Sequence, residues 1–317
     1  MNFQSLEYFE MLARERNFTR AAERLHITQQ SLSSNIAKME RELGCQLIVR
    51  HVPLDLTYAG TVLLSYAERF REERTQMSHE FCDISQNQRG ILSIGVGNTR
   101  GRAILPNIIM KFQETYPMIR IALLEDSNDN IKRRLLDGEV DLAIANFSEA
   151  LPGVTFRDFY REEVAMFVSR KLFTSLYGDE AEERAKEFEN GNYSVIADCP
   201  LMLGNEEDIG GHIERTLLKR AGILHPHVVM TTGNLETLLT MCLRGAGACF
   251  SPELLVKSTL TPEQIDSLYV LHIGEMARYQ IRFGYRTQSY QWSILDAFMN
   301  TAVDIVPGAS KLKPLSV

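Results

Sequence analysis

The apolar positions change their period twice along the chain, and the changes divide it into parts. Leu6, Phe9, Leu12 and Ala13 recur at helical spacing and predict a first amphipathic helix. Thr19 is placed to cap a second helix carrying Ala21 and Ala22. Thr28 is placed to cap a third, which runs to Leu43 and stops at Gly44. On the third helix Leu32, Ile36, Met39 and Leu43 form one apolar stripe. Two helices joined by the tight His26-Ile27-Thr28 break, with small alanines that let the second cross close, have the layout of a helix-turn-helix.

From Thr57, as cap, to residue 88 the chain reads as one long polar helix. Leu63, Phe70, Met77 and Ile84 repeat every seven residues, Ala67 and Phe81 sit four later, and Arg74 interrupts that second row. A heptad stripe of this kind suggests a partner helix, and so a homodimer or homotetramer. After Gly90 strands and helices alternate. Strands are expected at 90–97, 119–124, 140–145, 164–168, 201–203, 228–230 and 278–286. Helices are expected at about 101–115, 130–137, 209–221, 235–244 and 288–303. The acidic stretch 175–192 reads as a solvated helix inserted among them. The alternation predicts an α/β fold with parallel pairing, and ligands in such sheets sit beyond the carboxyl ends of the strands.

Composition narrows the class. The 317 residues hold 34 Lys and Arg against 41 Asp and Glu, a net charge of −7. Such a chain has no general attraction to nucleic acid, so any DNA binding must come from a local patch. No stretch approaches the roughly 20 apolar residues of a membrane helix, and the first residues lack the layout of a signal peptide. Five cysteines at irregular spacing argue against a disulfide framework and fit a reducing cytoplasm. Gly95, Gly97 and Gly101 have the wrong spacing for a dinucleotide fingerprint. Motifs for zinc hydrolysis, phosphate loops and serine nucleophiles are missing, so neither catalytic residues, a metal nor a cofactor is expected.

The chemistry lies in two sets of residues. The polar face of the third helix carries Gln29, Gln30, Ser31, Ser33, Ser34, Asn35 and Lys38. Amides can bond adenine with two contacts, and serine reaches a base edge or a phosphate. Thr19, Arg20, Arg24, Thr28, Lys38 and Arg50 complete the candidate DNA set, the cations as phosphate partners. A merely solvated face would look similar; the turn and the caps favour DNA. Over 18–60, Arg20, Arg24, Lys38, Arg41 and Arg50 face Glu23, Glu40, Glu42 and Asp55, a net of one positive charge. The salt dependence of binding should therefore be shallow. The second set, Asn98, Thr99, Arg100, Gly101, Ser127, Asn128, Thr232 and Gly233, follows strands and opens helices. With Arg100 and Arg102 nearby, it suits a carboxylate or other anion.

Residues 3–60 resemble the winged helix-turn-helix of LysR-type transcriptional regulators. The match runs through Phe18-Thr19-Arg20-Ala21-Ala22-Glu23-Arg24-Leu25, Ile27-Thr28-Gln29-Gln30-Ser31-Leu32-Ser33, Glu42-Leu43-Gly44 and Ala59-Gly60. By that resemblance Gln29, Gln30 and Ser33 read bases and 50–57 is the wing, here without the usual cations at 51–55. More loosely, Tyr116-Pro117, 138–144 and Gly245-Ala246-Gly247 resemble the family's effector domain. That domain consists of two α/β lobes built like periplasmic solute-binding proteins.

The expected organisation is an all-α winged helix-turn-helix at 1–58, a linker helix at 59–89, a two-lobed effector domain at 90–305 and a tail at 306–317. The expected function is a cytoplasmic, non-enzymatic regulator of transcription. Its partners would be double-stranded promoter DNA, a small-molecule effector, further copies of itself and RNA polymerase, with no membrane. The alternative is a ligand-binding or enzymatic α/β protein that uses its N-terminal helices only to oligomerise.

Overall fold

Each helix of the N-terminal segment begins where a side chain can satisfy its unbonded amide groups. The computed structural model describes residues 2–49, 51, 54–85, 89–206, 209–288 and 290–309. It comprises two units, Met1–Asn87 and Gln88–Val317. In the first, α1 (Phe3–Glu15) is capped by Asn2, α2 (Phe18–Arg24) by Asn17 and α3 (Gln29–Leu43) by Thr28. Asn17, not Thr19, caps α2. Its backbone is extended just before Phe18, and its carboxamide oxygen accepts from the Thr19 N–H at 2.9 Å and the Arg20 N–H at 3.0 Å. Thr19 is already inside the first turn. Gly44, at φ 68°, closes α3. A short antiparallel hairpin, β1 (Ile48–Val49) with β2 (Asp55–Leu56), forms the wing. Arg50, Val52 and Pro53 lie outside the described residues. Thr57 then caps α4 (Tyr58–Ile84).

The small core gathers Leu6, Phe9 and Leu12 from α1, Ala21 and Ala22 from α2, and Leu32, Ile36 and Met39 from α3. Leu47, Ile48, Leu54, Leu63 and Ala67 complete it. Leu43 does not join: the last turn of α3 runs past the core and leaves it 43% exposed. Gly60 is required where α4 starts, because a β-carbon there would sit 2.0 Å from the Leu47 carbonyl oxygen. The heptad of α4 divides in two. Leu63 and Ala67 are core, whereas Phe70, Met77, Phe81 and Ile84 are exposed, the last at 69%.

The second unit opens with β3 (Gly90–Val96), α5 (Asn98–Thr115), β4 (Ile119–Glu125), α6 (Asn128–Leu136) and β5 (Leu142–Ala145). Next come β6 (Val154–Ser169), α7 (Arg170–Tyr177), α8 (Ala181–Glu189), β7 (Leu201–Leu203) and α9 (Ile209–Arg220). Then follow β8 (Val228–Thr231), α10 (Leu235–Leu243), β9 (Cys249–Pro252), α11 (Glu253–Thr259) and α12 (Pro262–Asp266). The unit ends with β10 (Leu268–His272), β11 (Arg278–Arg286) and α13 (Ser293–Ile305). In the first lobe β3 lies between β4 and β5, parallel to both, and β11 joins β5 antiparallel. β6 pairs with β11 through its first half and with β9 and β10 through its second. It is therefore the strand shared by the two lobes. β7 and β8 form a separate parallel pair in the second lobe.

Three expectations change here. The strand expected at 164–168 is the second half of a 16-residue β6. Charged residues ahead of 164 disguised it, and two of its carboxylates are met by cations of the neighbouring strand: Asp158 by Arg282 and Glu163 by Arg278, both at 2.8 Å. The stretch 175–192 is no solvated insertion. α7 and α8 bury Phe173, Ala181, Ala185 and Phe188 in the second-lobe core, while most of the carboxylates point outward. Finally, α11, α12 and β10 fill a region that the apolar pattern left without elements.

Candidate DNA-reading face and effector cleft

The polar face of α3 starts from the hydrogen bond that caps it. The Ser31 N–H donates to Oγ1 of Thr28 at 3.1 Å, which turns Gln29, Gln30 and Ser31 outward at the helix start. These three are exposed, as are Ser34 and Lys38, and Ser33 is half-buried. Asn35 differs. Its Oδ1 is buried with no hydrogen-bond partner among the described residues.

Two of the expected phosphate partners share one carboxylate. Nε of Arg24 lies 2.9 Å from Oε1 of Glu15, and Nε of Arg20 lies 3.6 Å from Oε2. Arg20 also donates to the Glu15 carbonyl at 2.7 Å. A groove of about 740 Å³ brings Arg20, Gln29 and Ser33 together with Arg14, Glu15, Arg16, Asn17 and His51. Thr19, Arg24, Thr28, Gln30, Ser31, Ser34, Asn35 and Lys38 do not line it, and Arg50 lies outside the described residues. Arg14 and Arg16 were missed by sequence reasoning. The signal was present in Arg14-Glu15-Arg16-Asn17, just before the window in which charges were weighed.

In the second unit, a cavity of about 1110 Å³ is lined by all eight expected cleft residues: Asn98, Thr99, Arg100, Gly101, Ser127, Asn128, Thr232 and Gly233. Also lining it are Glu125, Asp126, Gly204, Asn205, Gly211, Glu236 and Tyr279, among others. Helices α5, α6, α9 and α10 all begin at this cavity. Ser127 caps α6 and Asn234 caps α10. The cap position of α5 is Gly97, which offers no side-chain acceptor. An acceptor group in the cavity would meet the open first turn of α5 and its positive dipole end.

Arg100 is buried, and its charge is already answered. Nε and Nη2 donate to the two oxygens of Glu162, at 3.0 and 2.9 Å. The Tyr160 hydroxyl donates to Oε1 at 2.7 Å and the Tyr279 hydroxyl to Oε2. Burial alone would raise the Glu162 carboxyl, but Arg100 and these four donors hold it below its usual range. Burial and the Glu162 charge push both phenols well above theirs, so they remain donors. Arg102 forms an ion pair with Glu236 across the cavity. The two arginines that suggested an anionic ligand are thus each engaged by a carboxylate. Arg100 works as a structural tie between α5 and β6.

Glu214 was also missed, because nothing in the sequence marks it. It lies on α9, fully buried; Oε2 accepts from the Gly204 N–H at 3.1 Å and Oε1 has no partner among the described residues. Burial pushes its carboxyl up to about 7, against the lowering effect of the Gly204 N–H and Arg215. Arg215 donates to the Gly204 carbonyl at 3.3 Å. Neighbouring side chains of α9 therefore hold both backbone groups of Gly204 on the cavity wall. Burial likewise pushes the Cys199 thiol up to about 12, so it carries no appreciable thiolate at neutral pH. Among the described residues no group of three or more His, Cys, Asp or Glu is placed to hold a metal.

Comparison with known proteins covers nearly the whole chain. Residues 3–61 match the family model described as bacterial regulatory helix-turn-helix protein, lysR family, and residues 85–305 match the LysR substrate binding domain. The chain is 28% identical over 264 residues to YcgK, an uncharacterized HTH-type transcriptional regulator of Bacillus subtilis, covering 80% of this chain and 81% of that one. It is 26% identical over 263 residues to the HTH-type transcriptional regulator IlvY of Escherichia coli, covering 83% and 85%. Full-length CbnR, solved in complex with its target DNA, superposes with a TM-score of 0.60 at 22% identity, over 96% of this chain and all of that one.

The Glu214 environment makes stability depend on pH with a definite sign. In the unfolded chain the carboxyl titrates near 4.5, and in the folded protein near 7. The folded state therefore loses stability as pH rises through that window, by up to about 3 kcal/mol. Glu214→Gln mimics the protonated form and should raise the melting temperature more at about pH 8 than at about pH 5. Equal shifts at both pH values would show that the carboxyl titrates as an ordinary one.

Proposed function

The chain belongs to the LysR family of bacterial transcriptional regulators, and on that footing we propose which of its residues read DNA and which hold the effector. It carries a DNA-binding helix-turn-helix and an effector-binding domain. For base reading we assign Gln29, Gln30 and Ser33. Thr19, Arg20, Arg24, Thr28, Ser31, Ser34 and Lys38 hold the backbone, with Arg50 assigned from sequence alone; Asn35 is left out. The observation behind the assignment is the capped, exposed start of α3 opening onto the groove shared by Arg20, Gln29 and Ser33.

The effector site is the second-unit cavity, with Asn98, Thr99, Gly101, Ser127, Asn128, Thr232 and Gly233 in contact and Arg100 behind them. Its acceptor group is taken up by the open first turn of α5 rather than by an arginine. An effector that displaces the Arg102–Glu236 pair shifts the balance between closed and open lobes. Self-association runs through the exposed part of the α4 heptad. The protein works in the cytoplasm without catalysing a reaction; the regulators it resembles support that reading.

Gel shifts on the DNA upstream of the chain's own gene test the reading helix. Gln29→Ala with Ser33→Ala should lose at least ten-fold in preference for that duplex over a scrambled one, since a good bidentate base contact is worth about 1–3 kcal/mol. Retained preference would move base reading elsewhere. Thermal melts with small carboxylic acids, amino acids and sugars test the cavity. A binder at 100 times its Kd adds about 2.7 kcal/mol, and Thr99→Val with Thr232→Val should erase that shift; a full shift in the variant places the ligand outside the cavity. Phe81→Glu should lower the mass measured by sedimentation. An unchanged mass would assign self-association to another surface.

A further inference from the structure

The turn between α1 and α2 holds a residue in a conformation that usually goes to glycine. Arg16 ends α1 in the left-handed region, with φ 47° and ψ 28°, and its N–H donates to the Leu12 carbonyl at 2.9 Å. From there its side chain crosses to the wing, where Nη1 donates to Oδ1 of Asp55 at 2.8 Å. His51 stands on the other side of the same carboxylate, with Nε2 3.8 Å from Oδ2. Arg16 remains 62% exposed. Its bond to Asp55 uses one nitrogen of the guanidinium fork and leaves Nε and Nη2 without partners among the described residues.

The described residues of the wing do not supply that charge, and Arg50 lies outside them. Those residues, Ile48, Val49, His51, Leu54, Asp55 and Leu56, include neither lysine nor arginine, and Asp55 is an anion. A duplex laid against Gln29 and Ser33 would bring phosphates toward that carboxylate, which repels them. Arg16 lines the same groove as Gln29 and Ser33.

We propose that Arg16 is a phosphate-contacting residue that does the work of a cationic wing, neutralising Asp55 with one edge of its guanidinium and holding the DNA backbone with the other. The inference rests on the reading of α3 given above. It also adds a cation beside the base-reading side chains of a segment whose net charge is near zero. The other charged groups facing the groove are Arg14, Glu15 and Arg20. Arg14 lies 3.8 Å from Glu10, and Arg20 is held by Glu15, so neither answers Asp55.

The test is a salt titration of binding to the upstream duplex and to a scrambled duplex. It uses the full chain, Arg16→Gly, Arg16→Lys, Asp55→Ala, and Gln29→Ala with Ser33→Ala. Glycine suits the left-handed turn, so Arg16→Gly should melt no lower than the parent. Its slope of log K against log salt should become shallower by about 0.9 for each Arg16 engaged, and both duplexes should weaken by the same factor. Arg16→Lys should keep the slope, and Asp55→Ala should bind at least as tightly as the parent. An unchanged slope in Arg16→Gly overturns the proposal. So does Asp55→Ala behaving like Arg16→Gly, because Arg16 would then act only by bracing the wing. If the parent discriminates between the duplexes and the Gln29 and Ser33 variant does not, failure at Arg16 sinks this proposal alone. Discrimination retained in that variant overturns the reading of α3, and with it the premise used here.

Discussion

A charged pair sealed inside the second unit sets the terms for everything around the cleft. Taking a carboxylate and a guanidinium out of water costs several kcal/mol per ion unless each finds nearly all its partners. Glu162 finds them: two nitrogens of Arg100 and two tyrosine hydroxyls converge on its two oxygens. The partners come from three elements. Tyr160 and Glu162 lie on β6, Tyr279 lies opposite Glu162 on β11, and Arg100 opens α5. Losing any one charge would strand the other, so the start of α5 is pinned to the strand that serves both lobes. This consumes the arginine, and leaves the bare helix end at Gly97 as the positive feature of the first-lobe wall.

The second lobe solves a related problem differently. Gly204 carries the chain along the cavity wall with both its backbone groups held, the N–H by Glu214 and the carbonyl by Arg215. Here one carboxylate oxygen is left without a partner, and the carboxyl responds by titrating near neutrality rather than far below it. The contrast with Glu162 is one of donor number. Four donors, two of them from a cation, keep Glu162 ionised; a single amide and a more distant cation do not do so for Glu214.

Much of this was legible in the sequence, and the parts that were not share a cause. Helical spacing found the core of the first unit, and Thr28 and Gly44 marked the ends of α3. The rule that ligands gather beyond strand ends assembled Asn98, Ser127 and Thr232 at one cavity from three distant segments. What escaped was decided by side chains meeting across the fold. Thr19 and Asn17 are both plausible caps, and only the backbone entering Phe18 chooses between them. The charged stretch ahead of 164 was not read as strand, and there Asp158 and Glu163 meet Arg282 and Arg278 of the neighbouring β11. Arg100 read as an open cation because its neutraliser lies 62 residues away. Gly204 and Asn205 were not singled out even though the strand before them, β7, was expected at its observed bounds.

The heptad of α4 shows why spacing alone cannot assign a role. One sequence repeat covers Leu63, Phe70, Met77 and Ile84, yet its surroundings change along the helix. At Leu63 and Ala67 the three short helices and the wing surround α4, and its apolar stripe closes their core. Beyond Arg71, which is hydrogen-bonded to Glu10, and Arg74, which forms an ion pair with Glu7, α1 gives out and the stripe continues without cover. A helix of 27 residues is about 40 Å long, far longer than a three-helix core of this size can shield. The uncovered half retains the repeat that its covered half needs for the core. Large apolar side chains kept at heptad spacing after their own domain has ended are the ground on which the proposed self-association rests.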